Sequence, residues 1–275
     1  IADWIADSLC GGIISALTID YGGIRGIVSG YRIRCLVSRT LAQQISAEVD
    51  QATSPFQFAM STRAGTDAVG LALRAVSESN PDKVILSLDG IGAFDHISRA
   101  SIMSKLCSLP QASTIVPFVK LFYDRISHYD WQDDTGHMHQ IYQGEGGEQG
   151  DALMPLLYAL GQHEGLATAQ RRLPRGDVLL AFLDDVYVVT SRENARRAFD
   201  ITTSCIREHC GVDENLGKCR AWSAAGGPAP PGIADLGPDV WRGDRTSSEC
   251  GLKILGAPLG SDAVSYTHLR AHETS

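Results

Sequence analysis

The 275-residue chain lacks any long apolar run. The longest, Val178 to Leu183, falls far short of the ~20 residues that cross a bilayer. No charged, then apolar, then small-residue leader opens the chain, so the sequence reads as soluble and intracellular rather than secreted. It also lacks an excess of positive charge. With 24 Lys+Arg against 32 Asp+Glu the net charge is −8, which excludes a wholly basic nucleic-acid coat protein but not a local basic patch. Paired cysteines are missing as well: Cys10, Cys35, Cys107, Cys205, Cys210, Cys219 and Cys250 are scattered without a C-x-x-C spacing, so neither disulfides nor a zinc site is expected. There is no internal repeat, and the start at Ile1 suggests a fragment. What is present is a composition 44% apolar and 20% charged, sufficient for a substantial core.

From Tyr21 to Ala47 the chain carries Arg25, Arg32, Arg34 and Arg39 and no acid. The Tyr21-Gly22-Gly23 turn signal between two apolar runs predicts a hairpin, followed by a helix through Leu36, Leu41 and Ile45. Lys83 to Asp89 is a buried-strand pattern ending on a carboxylate. Ser98 is placed to cap a helix, a second helix is expected from Ala112 to Ser127, and a polar hairpin from His128 to Tyr142 turns at Asp133 to Gly136. The glycine-rich loop Gly144 to Gly150 precedes a helix opened by Asp151, with Pro155 in its first turn. Strands Val178 to Leu183 and Val186 to Val189 flank Asp184-Asp185 at hairpin spacing, and Thr190 to Glu193 reads as a capping box for a helix to about Cys210. Four prolines and four glycines make Ser223 to Pro238 a loop or linker, and a short hairpin spans Gly251 to Leu259. Strands and helices alternate without a regular βαβ rhythm, so the expected fold is α+β with a mainly antiparallel sheet.

Two Asp-Asp pairs invite comparison. Asp133-Asp134 sits among polar residues in a solvated turn. Asp184-Asp185 sits between apolar strands, where two like charges at the edge of a low-dielectric core raise a pKa or require a cation; a hairpin tip protruding into water is the other reading. Asp89 ends a strand of the same kind. If the two lie in one sheet, three carboxylates converge, a hard oxygen set suited to Mg²⁺ and to phosphoryl or nucleotidyl transfer. Asp95 ranks below these three, and His137 and His139 are explained by alternation on an exposed strand.

Three segments carry a family resemblance. Leu88 to Asp95 (LDGIGAFD), Gly147 to Tyr158 (GEQGDALMPLLY) and Phe182 to Asp185 (FLDD) resemble motifs A, B and C of reverse transcriptases, in family order. Gly22 to Arg25 with Arg34 resembles the fingers motif, and Phe56 to Thr66 a segment found in retrotransposons without long terminal repeats. Leu216-Gly217-Lys218 resembles motif D, and Leu255 to Gly260 motif E. Leu183 stands where small or aromatic residues are common, and Ala152 to Pro155 departs mildly from the family's motif B.

The resemblance implies a right-hand polymerase fold. The expected boundaries are 1–80 for a fingers portion and 81–222 for a palm (105–145 partly a fingers-like insertion), then 223–250 for a loop and 251–260 for the motif E hairpin, with no thumb or endonuclease. Residues 264–275 resemble translated sequencing-adaptor readthrough, so His268 and His272 are set aside. The resemblance further implies an RNA-directed DNA polymerase from a non-long-terminal-repeat retrotransposon, in a nuclear or cytoplasmic ribonucleoprotein. RNA template, DNA primer and dNTP would be its partners, and two Mg²⁺ ions, with Mn²⁺ as a substitute, its cofactors. Asp89 and Asp184 would be the principal metal ligands with Asp185 in support. Lys218 would protonate pyrophosphate, Arg25 and Arg34 would hold the triphosphate, and Phe94 would exclude a ribose 2′-hydroxyl. Gln149 and Gly150 would contact nucleotide and template, and Gly256 would lie at the primer grip. For Phe94 core packing, and for Lys218 a solvated lysine, remain the plain alternatives. A non-catalytic nucleic-acid-binding relic and a Mg²⁺-dependent phosphoesterase are the competing functions.

Overall fold

The computed structural model describes residues 11–19, 23–60, 62–246 and 249–260. The expected turn at Tyr21-Gly22 and the adaptor-like residues lie outside them, as does the side chain of Arg25. The chain packs as two units that alternate along the sequence. The first takes Ile1–Ser54, Gly92–Glu164 and His209–Val212, and the second Pro55–Ile91, Gly165–Glu208 and Asp213–Ser275. Among the described residues no helix is long and apolar enough to cross a membrane, and Cys35, Cys107, Cys205, Cys210, Cys219 and Cys250 form no disulfide.

In chain order, β1 (Gly12–Ile19) and β2 (Gly23–Gly30) form an antiparallel hairpin in register from Gly12↔Gly30 to Ile19↔Gly23. Helix α1 (Arg32–Thr53) follows, burying Ser38, Ala42, Ile45 and Val49 along one helical stripe. α2 (Gly65–Ser79) and β3 (Val84–Leu88) belong to the second unit. The short α3 (Ala93–His96) and α4 (Arg99–Cys107) return to the first, and the Ser98 hydroxyl caps α4 by accepting from Ser101 N. The second expected helix is shorter than its apolar pattern predicts. A 3-10 turn at Ala112–Ile115 leads into α5 (Val116–Tyr123), which stops where the buried Arg99 guanidinium takes the Arg125 carbonyl (2.6 Å) and the Ser127 hydroxyl (3.0 Å). Ser127 then opens β4 (Ser127–Gln132), which pairs with β5 (Met138–Gln143) and runs parallel to β1, giving a sheet of order β2-β1-β4-β5.

After α6 (Met154–Arg172), the second unit is built on β6 (Val178–Phe182), β7 (Asp185–Thr190) and, beyond α7 (Ala195–Cys210), β8 (Arg220–Trp222). These strands form an antiparallel sheet of order β6-β7-β3-β8. Its inner strands are buried on both faces, which is why Val84 to Leu88 and Val186 to Val189 read as continuous apolar runs. On one face Ile85, Tyr187, Val189 and Trp222 pack with Val69 and Leu73 of α2 and with Leu252, Ile254 and Leu259 of the closing hairpin, β9 (Leu252–Ile254) and β10 (Ala257–Leu259).

One sequence expectation changes here. Thr190 does not cap α7: its hydroxyl donates to buried Asp177 at 2.7 Å, and the helix begins only at Ala195 after a turn. The Pro/Gly-rich stretch Ser223 to Pro238 is a loop, one of its two expected readings, and the chain just beyond it returns to the sheet. Ala221 N donates to Val240 O (2.7 Å) and Arg242 N to Ala221 O (2.9 Å), so residues 240–242 cover the outer edge of β8, and Val240 and Trp241 are buried. At the opposite edge Phe58 N donates to Ala181 O and Ala181 N to Phe56 O, so β6 is covered too. Unpaired strand edges are templates for aggregation, and both are closed by irregular chain.

Candidate active site

The register of β3 and β7 sets the site. Leu88 pairs with Val186, so continuing one residue places Asp89 opposite Asp185, while Phe182↔Asp185 closes the β6–β7 hairpin on Leu183 and Asp184. The turn is thus one residue earlier than the sequence spacing suggests, with Asp184 in the turn and Asp185 on the strand. Leu183 holds φ 54 there, and its N–H donates to the buried Gln57 amide oxygen at 2.7 Å. Period-two alternation puts Asp89, Asp185, Ser87 and Arg220 on the same face as Tyr187 and Trp222.

At the end of that face lies a cleft of about 350 Å³ lined by Ser87, Asp89, Asp185, Lys218, Arg220, Leu252, Lys253, Leu255 and Gly256. The structure therefore brings Asp89, Asp185, Lys218 and Gly256 together, and Asp184 stands at the adjoining turn outside the lining. Asp89 Oδ2 is buried and accepts no hydrogen bond, and the Lys218 ammonium is 3.7 Å away. Burial pushes the Asp89 carboxyl above its ordinary value, opposed by Lys218 and Asn215. Asp185 is pushed up to about 6, first by burial, then by the charges of Asp184 and Asp89. Gly256 (φ 87) follows Leu255 (φ 49) at the tip of the β9–β10 hairpin.

Asp89 is held from behind by a turn that sequence reasoning missed. Asn215 N donates to Asp89 O at 2.8 Å, and Asp89 N approaches the Cys219 sulfur at 3.5 Å. Cys219 Sγ in turn lies 3.8 Å from Asp89 O, and burial pushes its thiol up to about 11, so it stays protonated as a donor at neutral pH. Lys218 N and Cys219 N both donate to Asn215 O, and Arg220 braces the turn through Gly217 O (2.8 Å) and Cys219 O (2.7 Å). A strand assigned at Arg220 to Trp222 would have put Arg220 on the acid face; its three-residue length left no periodicity to read.

The remaining predicted residues belong to the first unit. Phe94 stacks on Tyr158 with centroids 4.5 Å apart. The glycine-rich loop wraps α3: Gly147 N donates to Phe94 O and Gly146 N to Ile97 O, and a Cβ at Gly146 would lie 2.2 Å from Asp95 O. The Gln149 amide donates to Asp95 at 3.1 Å. Gly150 (φ 132) gives close approach to the chain itself, since a Cβ there would meet Val28 O at 2.6 Å. Arg34 differs most from expectation. Its guanidinium donates to Glu148 (2.6 Å) and Asp151 (3.3 Å), lies 4.1 Å over the Phe122 ring and is 2% exposed, so it organises the motif B loop rather than facing a ligand. Of Arg25 the structure describes the backbone, in β2.

Carboxylates that repel one another, one with a buried oxygen that no short hydrogen bond satisfies and that faces Lys218 at 3.7 Å, have the donor chemistry of a hard divalent cation. The expected convergence of three carboxylates is not seen: among the described residues no three His, Cys, Asp or Glu form a group that could hold a metal ion, and Asp89 and Asp185 are the two that share the cleft.

A mainly antiparallel α+β fold with two carboxylates, Asp89 and Asp185, at the ends of adjacent strands, in a cleft that Lys218, Arg220 and Lys253 also line, is that of a polymerase-type domain. The chain belongs to the reverse transcriptase (RNA-dependent DNA polymerase) family, which it matches over residues 22–259. No curated protein matches its sequence. Among solved structures it is similar to apo telomerase from Candida tropicalis truncated from its C-terminal domain, with a TM-score of 0.59 and 11% identity over 80% of this chain and 51% of that one. It is also similar to telomerase from Candida albicans in complex with a TWJ fragment of telomeric RNA, with a TM-score of 0.56 and 14% identity over 79% and 42%. These identities carry likeness of fold alone, and the chain spans about half or less of the structures it matches.

Proposed function

We propose that this chain is the catalytic part of an RNA-directed DNA polymerase of the non-long-terminal-repeat retrotransposon type, adding dNTP to a primer 3′-hydroxyl on an RNA template. The observation that carries the reading is the buried Asp89 oxygen, without a hydrogen bond and faced by the Lys218 ammonium at 3.7 Å, in a cleft shared with Asp185. Asp89, Asp184 and Asp185 hold the cations, Mg²⁺ by the hardness of the donors. Two such ions, when bound, stabilise the attacking and leaving oxygens of an in-line displacement. Lys218 donates a proton to the departing pyrophosphate. Phe94, stacked on Tyr158, presents an apolar ring that cannot hydrogen-bond a 2′-hydroxyl. Gln149 meets the nucleotide, Arg25 the triphosphate, and the Gly256 tip the primer strand. RNA as template is supported by the family. In this reading residues 1–80 belong to the fingers and 81–222 to the palm, with 105–145 partly a fingers-like insertion.

The test is templated primer extension by the purified protein with Mg²⁺. Asp89→Asn and Asp184→Asn are expected to lower the rate by about 100-fold or more while leaving template binding intact. Extension that survives both substitutions would remove the assignment.

A further inference from the structure

The Asp89–Lys218 pair has a geometry that a salt bridge for stability does not need. The ammonium stands 3.7 Å from the one carboxylate oxygen that is buried and accepts no hydrogen bond. The lysine side chain is 61% exposed and that of Asp89 27%, so the contact is half open to water, where such pairs contribute little to folding. The backbone beneath is held by hydrogen bonds: Asn215 and Cys219 tie the turn to Asp89, and Arg220 braces it through Gly217 O and Cys219 O. An exposed ammonium on a hydrogen-bonded turn thus faces the Asp89 oxygen in a cleft with Asp185.

We propose that Lys218 and the divalent cation compete for Asp89, the lysine standing in for the metal until an ion arrives and then being released into the cleft beside it. The inference rests on the reading of Asp89 as a metal ligand. Two positive groups cannot share one carboxylate oxygen without repelling each other, and the divalent ion has the larger charge. Because the turn keeps the Lys218 backbone beside Asp89, the freed ammonium stays within reach of whatever the ion holds. The proton donor would then be delivered only to a loaded site, and an empty site would keep its acid partly neutralised.

The experiment measures Mn²⁺ binding directly, from the electron paramagnetic resonance of the free ion at low ionic strength, with no nucleic acid or nucleotide present. Relative to the parent protein, Lys218→Met is expected to bind Mn²⁺ more tightly by about threefold, the size of one exposed charge contact. Its primer extension should nevertheless be slower. Lys218→Arg keeps the competing charge and should bind Mn²⁺ like the parent. As a second readout, acylation of the Lys218 amine by an amine-reactive ester, followed by mass spectrometry, should rise when Mn²⁺ is added. Equal or weaker Mn²⁺ binding by Lys218→Met, or acylation indifferent to Mn²⁺, overturns the competition if Asp89→Asn loses the ion. Should Asp89→Asn bind Mn²⁺ as the parent does, the metal-centre reading fails and the competition with it. Thermal unfolding of each variant verifies that the fold is retained.

Discussion

Asp185 shows how a single residue can be costly to the fold and still have a use. Its folded pKa of about 6 lies above the ordinary carboxylate value near 4, so the folded state binds its proton more tightly than the unfolded chain does. The sign follows: without metal, stability falls as pH rises from about 4 to 6, and the penalty is fully present above that. Asp185→Asn should therefore raise stability at pH 7.5 by about 1–2 kcal/mol, after a discount for partial solvent screening. Melting curves in EDTA at pH 4.5 and 7.5 are the measurement, and a variant no more stable at the higher pH would refute the cost of burying this carboxylate beside Asp184 and Asp89. Arg34 carries the opposite expectation. Arg34→Met leaves Glu148 and Asp151 buried without their counter-charge and should cost about 3–5 kcal/mol in denaturant unfolding, whereas a ligand-facing arginine would cost almost nothing.

Among the elements, the two hairpin tips around the acid face both use left-handed backbone, Leu183 (φ 54) in one and Leu255–Gly256 (φ 49 and 87) in the other. A Cβ at Gly256 would meet nothing within 4 Å, so Gly256→Ala tests conformation alone and should cost about 1 kcal/mol. At Gly147 a Cβ would lie 1.9 Å from the Met154 sulfur, so Gly147→Ala must displace a buried side chain and should cost more, in the range of about 1–3 kcal/mol typical of overpacking. Paired urea melts would rank the two, and the reverse order would contradict the geometry. These elements also show what was legible in advance. Continuous apolar runs ending in carboxylates revealed β3 and the β6–β7 hairpin, because burial on both faces leaves only apolar residues. What escaped were features made by partners distant in sequence: Arg99 ending α5 early, Asp177 drawing Thr190 away from its capping role, Glu148 and Asp151 claiming Arg34. The same holds beyond the Pro/Gly-rich stretch, whose composition marks a loop but not that residues 240–242 after it close the edge of β8.

For the whole molecule, charge remains the governing quantity. With a net charge of −8 and arginines concentrated between Arg25 and Arg39, binding to single-stranded RNA should depend only shallowly on salt. A log-log slope steeper than about −6 on the scale of −0.7 to −0.9 per phosphate neutralised would expose a basic surface not visible in this chain. Connectivity sets a second constraint, on the order in which the protein is made. Strand β3 lies between β7 and β8, and both neighbours come later in the sequence. A ribosome that has released Val84 to Leu88 must add about 100 residues before β7 exists, about 5–20 s at ordinary elongation rates. Throughout that interval this buried, largely apolar strand hangs from the exit tunnel with both hydrogen-bonding edges bare. Nascent chains arrested before Asp185 should therefore be held by chaperones that recognise extended apolar segments, and chains arrested beyond Trp222 should have let them go.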